Sequence, residues 1–336
     1  MNQTRPNDFH LLNSIQLSIA IIICTWNRAE KLRATLLSLN NLEYDMTMDL
    51  EFIVVDNNSQ DETRAVVESL QAEWRPGYLR YLFEPKQGKQ FALNTGIKNC
   101  HKDILAFTDD DILFPEDWVI KIQQLFISDP ELDLAGGRTS LVWPSEGKPC
   151  WYHDNMNAIL AGVDNGNESL CPPPPQYSPA GSNMFVRRRL FDNVGLFSTT
   201  HFRHMDFEFG QRCIQKKMRV AYAADIDVFA PIDTACLTKR YFRRWSFKAG
   251  FSHGDEQDQQ HRLFLNVPHW VYGEIFRDFG KLIIGCFRKP SADTFLQELK
   301  IWRFLGQVIS RWYAAVSQDK YNRWQKKYSQ KNKNVY

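Results

Sequence analysis

Four short apolar runs in the first third of the chain each stop at a polar or acidic residue and each lead into a polar, turn-like stretch. That alternation constrains the fold more than any other feature of the sequence. Residues 17–24, 50–55, 78–83 and 104–107 are too short for buried helices and are bounded by turn residues, so they are predicted strands. Helical patterns follow the first three. Asn27 with Glu30 three residues on reads as a capping box, and Leu32, Leu36, Leu37 and Leu39 are expected to form the buried face of that helix. Ser59-Gln60-Asp61-Glu62 opens a second helix by the same logic, and Gly88-Lys89 opens a third through Asn94 and Ile97. Strands alternating with helices predict βαβ units and a mostly parallel sheet, whose ligands sit beyond the strands' carboxyl ends. Asp56 closes the second run and Asp109-Asp110-Asp111 closes the fourth, so these carboxylates are expected at one crevice.

Three adjacent carboxylates repel one another, and burying them unpaired costs several kcal/mol. Two arrangements relieve this. The triplet is either a solvated turn that caps the next helix, or it holds a hard divalent cation, which takes oxygens from one or two carboxylates plus substrate phosphates.

The chain has 336 residues, 43% of them hydrophobic, enough for one large domain or a domain with an appendage. Its net charge of +2 hides an asymmetry: residues 239–336 hold 19 Lys and Arg against 8 Asp and Glu, leaving 22 against 31 in residues 1–238. A basic tail on an acidic body either meets an anionic partner such as a membrane surface or docks on the body itself. No nucleic-acid-binding module accompanies it, and nucleic acid is not an expected partner. The seven cysteines are scattered without a CxxC pair, which predicts reduced thiols and a cytoplasmic protein. The N-terminus lacks the apolar core of a secretory leader, and runs 19–24 and 282–287 are far short of a membrane span, so no transmembrane segment is expected.

Residues 143–179 are rich in Pro, Gly and Asn and read as a functional loop whose aromatics (Trp143, Trp151, Tyr152, Tyr177) either stack on a sugar or pin the loop. Near the end, Phe295, Leu296, Leu299, Trp302, Leu305, Ile309, Trp312, Tyr313 and Val316 follow helical spacing, with Lys300, Arg303 and Arg311 on other faces. That is either a helix lying on an anionic membrane or a surface helix packed on the core.

These residues resemble a family. Residues 21–28 (IIICTWNR) and 53–59 (IVVDNNS) look like the start of a family 2 glycosyltransferase of GT-A fold, and Asp109-Asp110-Asp111 falls where that family carries its DxD motif. Residues 115–118 (PEDW), 180–187 (AGSNMFVR), 192–197 (DNVGLF) and 205–212 (MDFEFGQR) are similar to the segments that follow, the last to its catalytic helix. The resemblance implies a GT-A domain over residues 1–238, with a Rossmann-like, mostly parallel sheet; residues 239–336 are expected to form a basic helical extension that either associates with a membrane or packs on the core. It implies a nucleotide-diphospho-sugar donor, Mg²⁺ or Mn²⁺ on Asp111 and Asp109, and a nucleotide pocket that includes Thr25, Asn27, Asp56, Asn58 and Asp110. Lys89 would contact the diphosphate, unless it is a solvated charge at a helix start. Asp206 would be the general base of an inverting transfer of one sugar to a glycan or lipid-linked saccharide, ahead of Glu208, which should not share its helical face.

The chain departs from the family in having Met205 before the catalytic Asp and no His in residues 228–231. His201 and His204 are not assigned as ligands. Arg240, Arg243 and Arg244 either bind phosphates or form a basic helix face. The implied place is the inner face of the plasma membrane, in polysaccharide synthesis. A sugar nucleotidyltransferase, or a silent glycan- or nucleotide-binding protein of the same fold, is the alternative.

Overall fold

The computed structural model describes residues 16–174, 177–199, 205–252, 263–264, 267–287 and 291–317. Two compact units divide the chain. The first comprises residues 1–140, 163–200 and 205–230, the second residues 141–162, 201–204 and 231–336.

The predicted alternation builds the first unit. Strands β1 (Ile19–Thr25), β2 (Leu50–Asp56), β3 (Tyr78–Phe83) and β4 (Ile104–Asp109) alternate with helices α1 (Ala29–Asn40), α2 (Thr63–Gln71) and α3 (Lys89–Lys98). After β4 come α4 (Trp118–Ser128), β5 (Leu134–Val142), β6 (Met184–Arg187), α5 (Arg189–Val194), α6 (Met205–Gln215) and β7 (Val220–Pro231). The seven strands form one sheet in the order β3-β2-β1-β4-β6-β5-β7. β1 pairs in parallel with β2 and β4, and β2 with β3, whereas β6 runs antiparallel between β4 and β5. Every residue of β1 and β2 is buried, as a central parallel strand covered on both faces requires.

The register sets up the site. Thr25 lies opposite Asp56 and Cys24 opposite Asp109, so three parallel strands end at one edge. Because β6 is antiparallel and Met184 pairs with Phe107, the segment before β6 arrives at that same edge. β4 runs two residues further than its apolar stretch, to Asp109 itself.

Local corrections concern the caps. Asn27 does not cap α1: its backbone is left-handed (φ 50°) and its side chain accepts from the Gln60 amide at 2.6 Å. The first amide of α1, Ala29, donates instead to Asp61 across the loop at 3.0 Å. Asp61 also accepts from the Thr63 amide at 3.2 Å, so one carboxylate serves the starts of α1 and α2. Leu32, Leu36 and Leu39 are fully buried as expected, but Leu37 is 46% exposed because it falls on the opposite face of α1.

In the second unit α7 (Lys239–Ser252), α8 (His269–Phe287) and α9 (Ala292–Val316) are joined by a short hairpin, β8 (Leu263–Phe264) and β9 (Val267–Pro268), and by a 3₁₀ turn, Asp154–Leu160. Tyr152 and Met156 pack with Phe242, Phe295 and Leu299, and Trp143 and Trp151 join them. Trp143 and Tyr152 meet edge to face with ring centroids 4.6 Å apart. Tyr177, in the first unit, is buried and donates to the Gly136 carbonyl at 3.1 Å. The four loop aromatics therefore pin the segment. The predicted stripe on α9 splits: Phe295 and Leu299 are buried, while Trp302, Leu305, Trp312, Tyr313 and Val316 are exposed. Cys24, Cys100, Cys150, Cys171, Cys213 and Cys236 are free thiols.

Arg243 of α7 is held within this unit by Glu298 of α9, with its Nε at 2.5 Å and its second nitrogen at 3.0 Å. Burial pushes the Glu298 carboxyl up, but hydrogen bonds from Arg243 and Trp302 outweigh it and the net direction is down from 4.5. Such a group stabilises the fold above the unfolded value and loses that stabilisation as pH falls through the folded one. Glu298→Gln is therefore expected to lower the unfolding midpoint at pH 7 and to converge with the wild type below pH 4.5. Urea titrations at stepped pH measure this, and a gap constant down to pH 3 contradicts it.

Candidate active site

Side chains from five segments meet at the sheet's carboxyl edge. Asp110 is 4% exposed, with one oxygen accepting from Thr25 Oγ1 at 2.8 Å and the other from Arg28 at 2.9 Å. The same Arg28 nitrogen donates to Asp111 Oδ2 at 3.0 Å. Burial pushes the Asp110 carboxyl up to about 6, against the pull of Arg28. The middle Asp is thus engaged on both oxygens, while its neighbours turn outward. Asp109 pairs with Lys89 at the start of α3. Burial pulls the Lys89 ammonium down, but Asp109, with Asp206 further off, overcomes it and the net direction is up. Lys89 is therefore ion-paired within the cluster rather than a solvated charge.

Asp206, in the first turn of α6, accepts from the Gly181 amide at 2.9 Å and the Phe207 amide at 2.9 Å. A methyl group placed on Gly181 would lie 3.5 Å from Asp206 Oδ2 and 3.7 Å from Lys89 Nζ, so both reach the same small space. Neighbouring residues anchor that segment: Thr108 donates to the Ser182 carbonyl at 2.9 Å, and Trp118 Nε1 to Asn183 Oδ1 at 3.1 Å. Glu208 has another task. Arg212 holds it at 2.7 and 2.9 Å and also donates to the carbonyls of Val194 and Leu196. Met205 is 7% exposed and packs in the hydrophobic core, where a carboxylate would be stripped of water.

Several residues expected to line a nucleotide pocket lie at or beside the β2 end. Asp56 accepts from the Ser59 amide at 2.9 Å and from Tyr81 Oη at 2.7 Å. Asn27 and Asn58 both have left-handed backbones (φ 50° and 66°), a conformation Asn tolerates better than other non-glycine residues. Asn58 is half-buried at the loop. Its neighbour Asn57 ties the β2 and β3 loops together, donating to the Lys86 carbonyl at 2.7 Å and accepting from the Gly88 amide at 2.7 Å. Arg28, Asn57, Tyr81 and Gly181 were not singled out from sequence. Asn57 and Arg28 stand inside the two strand-end motifs, which is the signal that points to them. Tyr81 and Gly181 reach the site only through sheet pairing. His201 and His204 lie outside the described residues.

The donor set suits a cation shared with a substrate. Asp111 Oδ1 receives no hydrogen bond among the described residues and its side chain is 35% exposed, while that of Asp109 is 27% exposed. Hard cations take one or two carboxylates and complete their shell with phosphates and water. The described residues contain no group of three ligands able to cage a metal alone.

A doubly flanked sheet with acidic strand ends, a lysine at a helix start and a second carboxylate across a glycine belongs to the α/β enzymes that bind ligands at a sheet edge. The model of glycosyl transferase family 2 matches residues 20–195. The chain belongs to that family. Among curated relatives, the glycosyltransferase AglE of Haloferax volcanii is 25% identical over 209 residues, 62% of this chain and 65% of its own. The succinoglycan biosynthesis protein ExoM of Rhizobium meliloti is 36% identical over 106 residues, 32% of this chain and 34% of its own. The GalNAc(5)-diNAcBac-PP-undecaprenol β-1,3-glucosyltransferase of Campylobacter jejuni is 33% identical over 95 residues, 28% of this chain and 29% of its own. The chain therefore spans less than two thirds of the length of these relatives. Among solved structures, the mannosyltransferase PcManGT of Pyrobaculum calidifontis, in complex with GDP-Man and Mn²⁺, superposes with a TM-score of 0.53 at 17% identity, covering 93% of this chain and 79% of its own. S. aureus TarS gives 0.51 at 15% identity over 84% of this chain and 55% of its own. Both show the fold, which is of the expected GT-A type.

Proposed function

We propose that this chain transfers a single sugar from a nucleotide-diphospho-sugar to a glycan or lipid-linked saccharide, with inversion at the anomeric carbon, in polysaccharide biosynthesis at the inner face of a membrane. One observation carries the reading: Lys89 stands between Asp109 of the strand-end cluster and Asp206 across Gly181, which brings a phosphate-neutralising group and a base to one space.

Asp56, Asn58, Asn27 and Thr25 line the nucleotide side, and Asp109 turns toward the ribose. A divalent cation held by Asp109 and Asp111 would neutralise charge on the leaving diphosphate. Lys89 donates to the same diphosphate once its ion pair with Asp109 opens. Arg28, anchored on Asp110, occupies one oxygen of Asp111 and leaves the other for the cation. Asp206 takes the proton of the acceptor hydroxyl as that oxygen bonds to the anomeric carbon and the bond to the diphosphate breaks. One base acting in a single displacement inverts the centre. The Campylobacter relative, whose name specifies an undecaprenol-linked acceptor, supports a lipid-linked substrate.

The test is hydrolysis of a panel of nucleotide sugars by the purified protein, with Mn²⁺ and with chelator. Release of one nucleoside diphosphate, lost on chelation and in Asp111→Asn, is expected. Failure to bind any donor by calorimetry counts against the assignment.

Arg28 gives a second expectation that needs no donor. Its guanidinium and a cation compete for Asp111, and a partly exposed ion pair is worth up to about 1 kcal/mol. Arg28→Gln is therefore expected to tighten Mn²⁺ binding about fivefold in a titration followed by electron paramagnetic resonance. Unchanged or weaker binding contradicts the competition.

A further inference from the structure

The helical part of the second unit exposes more large apolar side chains than the rest of the described residues. Of the 16 large apolar side chains exposed among the described residues, 10 come from residues 264–316. On α9, Trp302, Leu305, Trp312, Tyr313 and Val316 form one stripe at positions i, i+3, i+10, i+11 and i+14, and are 36%, 36%, 43%, 37% and 80% exposed. On α8, Phe276, Phe279 and Ile283 form a second, at i, i+3 and i+7, exposed by 75%, 51% and 44%.

Within the unit α7 and α9 approach closely, and polar side chains are buried beside the apolar residues Phe242, Phe251, Phe295, Leu299 and Val308. Gly250 of α7 sits against the Arg303 backbone and Gly306 of α9 against the Phe247 backbone, so the two helices touch main chain to main chain. Ser246, Lys248, Asp278 and Ser310 are buried, and the Gln297 and Gln307 side-chain oxygens and Ser310 Oγ are buried with no hydrogen-bond partner among the described residues. Small residues at helix contacts, polar groups inside and large apolar groups outside are how helices pack where the surroundings are lipid. Isolated exposed apolar residues need no explanation, but two ordered stripes do.

We propose that the α8–α9 stripes enter the acyl region of an anionic bilayer as a one-sided anchor, and that this is how the enzyme meets a lipid-linked acceptor, an inference that rests on the transferase reading above. No described helix is long and apolar enough to cross a membrane, so the helices lie in the interface. Charge selects the lipid: residues 239–336 carry a net +11 from 19 basic and 8 acidic residues, and residues 318–336 account for part of that excess, with Lys320, Arg323, Lys326, Lys327, Lys331 and Lys333 against Asp319 alone. Aromatic side chains, which dominate both stripes, are the groups that favour the bilayer interface.

The experiment uses the full chain with vesicles of phosphatidylcholine and phosphatidylglycerol (7:3), some with brominated acyl chains. The wild type is expected to float with the vesicles, to stay bound in 0.5 M NaCl, and to have its tryptophan fluorescence quenched by the brominated lipid. W302Q/W312Q is expected to partition at least tenfold more weakly. Release of the wild type by salt, absence of quenching, or flotation unaffected by the double substitution overturns the proposal. So does a dimer in solution that W302Q/W312Q dissociates, because a second copy would then cover the stripes. If the double variant fails to fold by circular dichroism, quenching of the wild type still decides. Donor hydrolysis on the same preparations separates the two readings: a protein that hydrolyses donor but does not float refutes the anchor alone, and one that floats but binds no donor refutes the transferase reading alone.

Discussion

Asp206→Asn is expected to lower the transfer rate about 10³-fold while leaving donor binding within about twofold, since removing a positioned general base costs 10²- to 10⁴-fold. The amide keeps the shape and can still accept from the Gly181 amide, so the segment that ends at β6 should stay in place. Glu208→Gln is the matched control. Its carboxylate is bound on both oxygens by Arg212, which also holds the Val194 and Leu196 carbonyls, so the substitution should act on stability and leave the rate per folded molecule nearly unchanged. Single-turnover kinetics with the donor identified by the hydrolysis panel separate the two effects. Equal rate losses in both variants would remove Asp206 from the role of base. A full rate in Asp206→Asn would do the same.

Much of that arrangement is legible in the sequence because it depends on strand ends. A buried parallel strand is an apolar run, and the first polar residue after it marks the ligand edge, which is why Asp56 and Asp109–Asp111 are visible without coordinates. Glu208 could be set aside from spacing alone, two residues being too few to share a helix face. What the sequence does not reveal is pairing across distance. The Thr25–Asp110–Arg28–Asp111 chain joins residues 82 to 85 positions apart, and no periodicity announces it. The caps escape the sequence for the same reason, since Asp61 serves a helix that begins 32 residues earlier. Leu37 is a leucine within the run that falls on the opposite helical face, and the aromatic loop, open from composition to sugar stacking or packing, is closed by Phe242 and Phe295, which lie far along the chain. The stripe on α9 reads as one amphipathic face. Only the coordinates show that its first two turns are buried and the rest is exposed, because the covering residues, Tyr152, Met156 and Phe242, come from other segments.

The helix contact beneath those stripes makes the strongest prediction about stability. A side chain at Gly250 would overlap the carbonyl oxygen and carbon of Arg303, and one at Gly306 would overlap the Phe247 carbonyl oxygen and crowd the Phe251 amide. These obstacles are backbone atoms inside regular helices, so no rotamer change relieves them, and α7 and α9 would have to separate. Gly250→Val is expected to cost about 3 kcal/mol or more, at the upper end of overpacking penalties. Gly280 provides the contrast. It lies within α8, and nothing stands within 4 Å of where its Cβ would be. Gly280→Ala should instead gain up to about 1 kcal/mol, the helix-propensity difference between the two residues. Urea unfolding followed by helical circular dichroism measures both. The close approach of α7 and α9 also holds Arg243 against Glu298 and Phe242 beside Phe295, so separating the helices would break the ion pair and open the aromatic cluster together. A Gly250→Val protein as stable as the wild type would mean that α7 and α9 do not pack main chain to main chain, and the buried glycine contact beneath the exposed stripes would lose its basis with it.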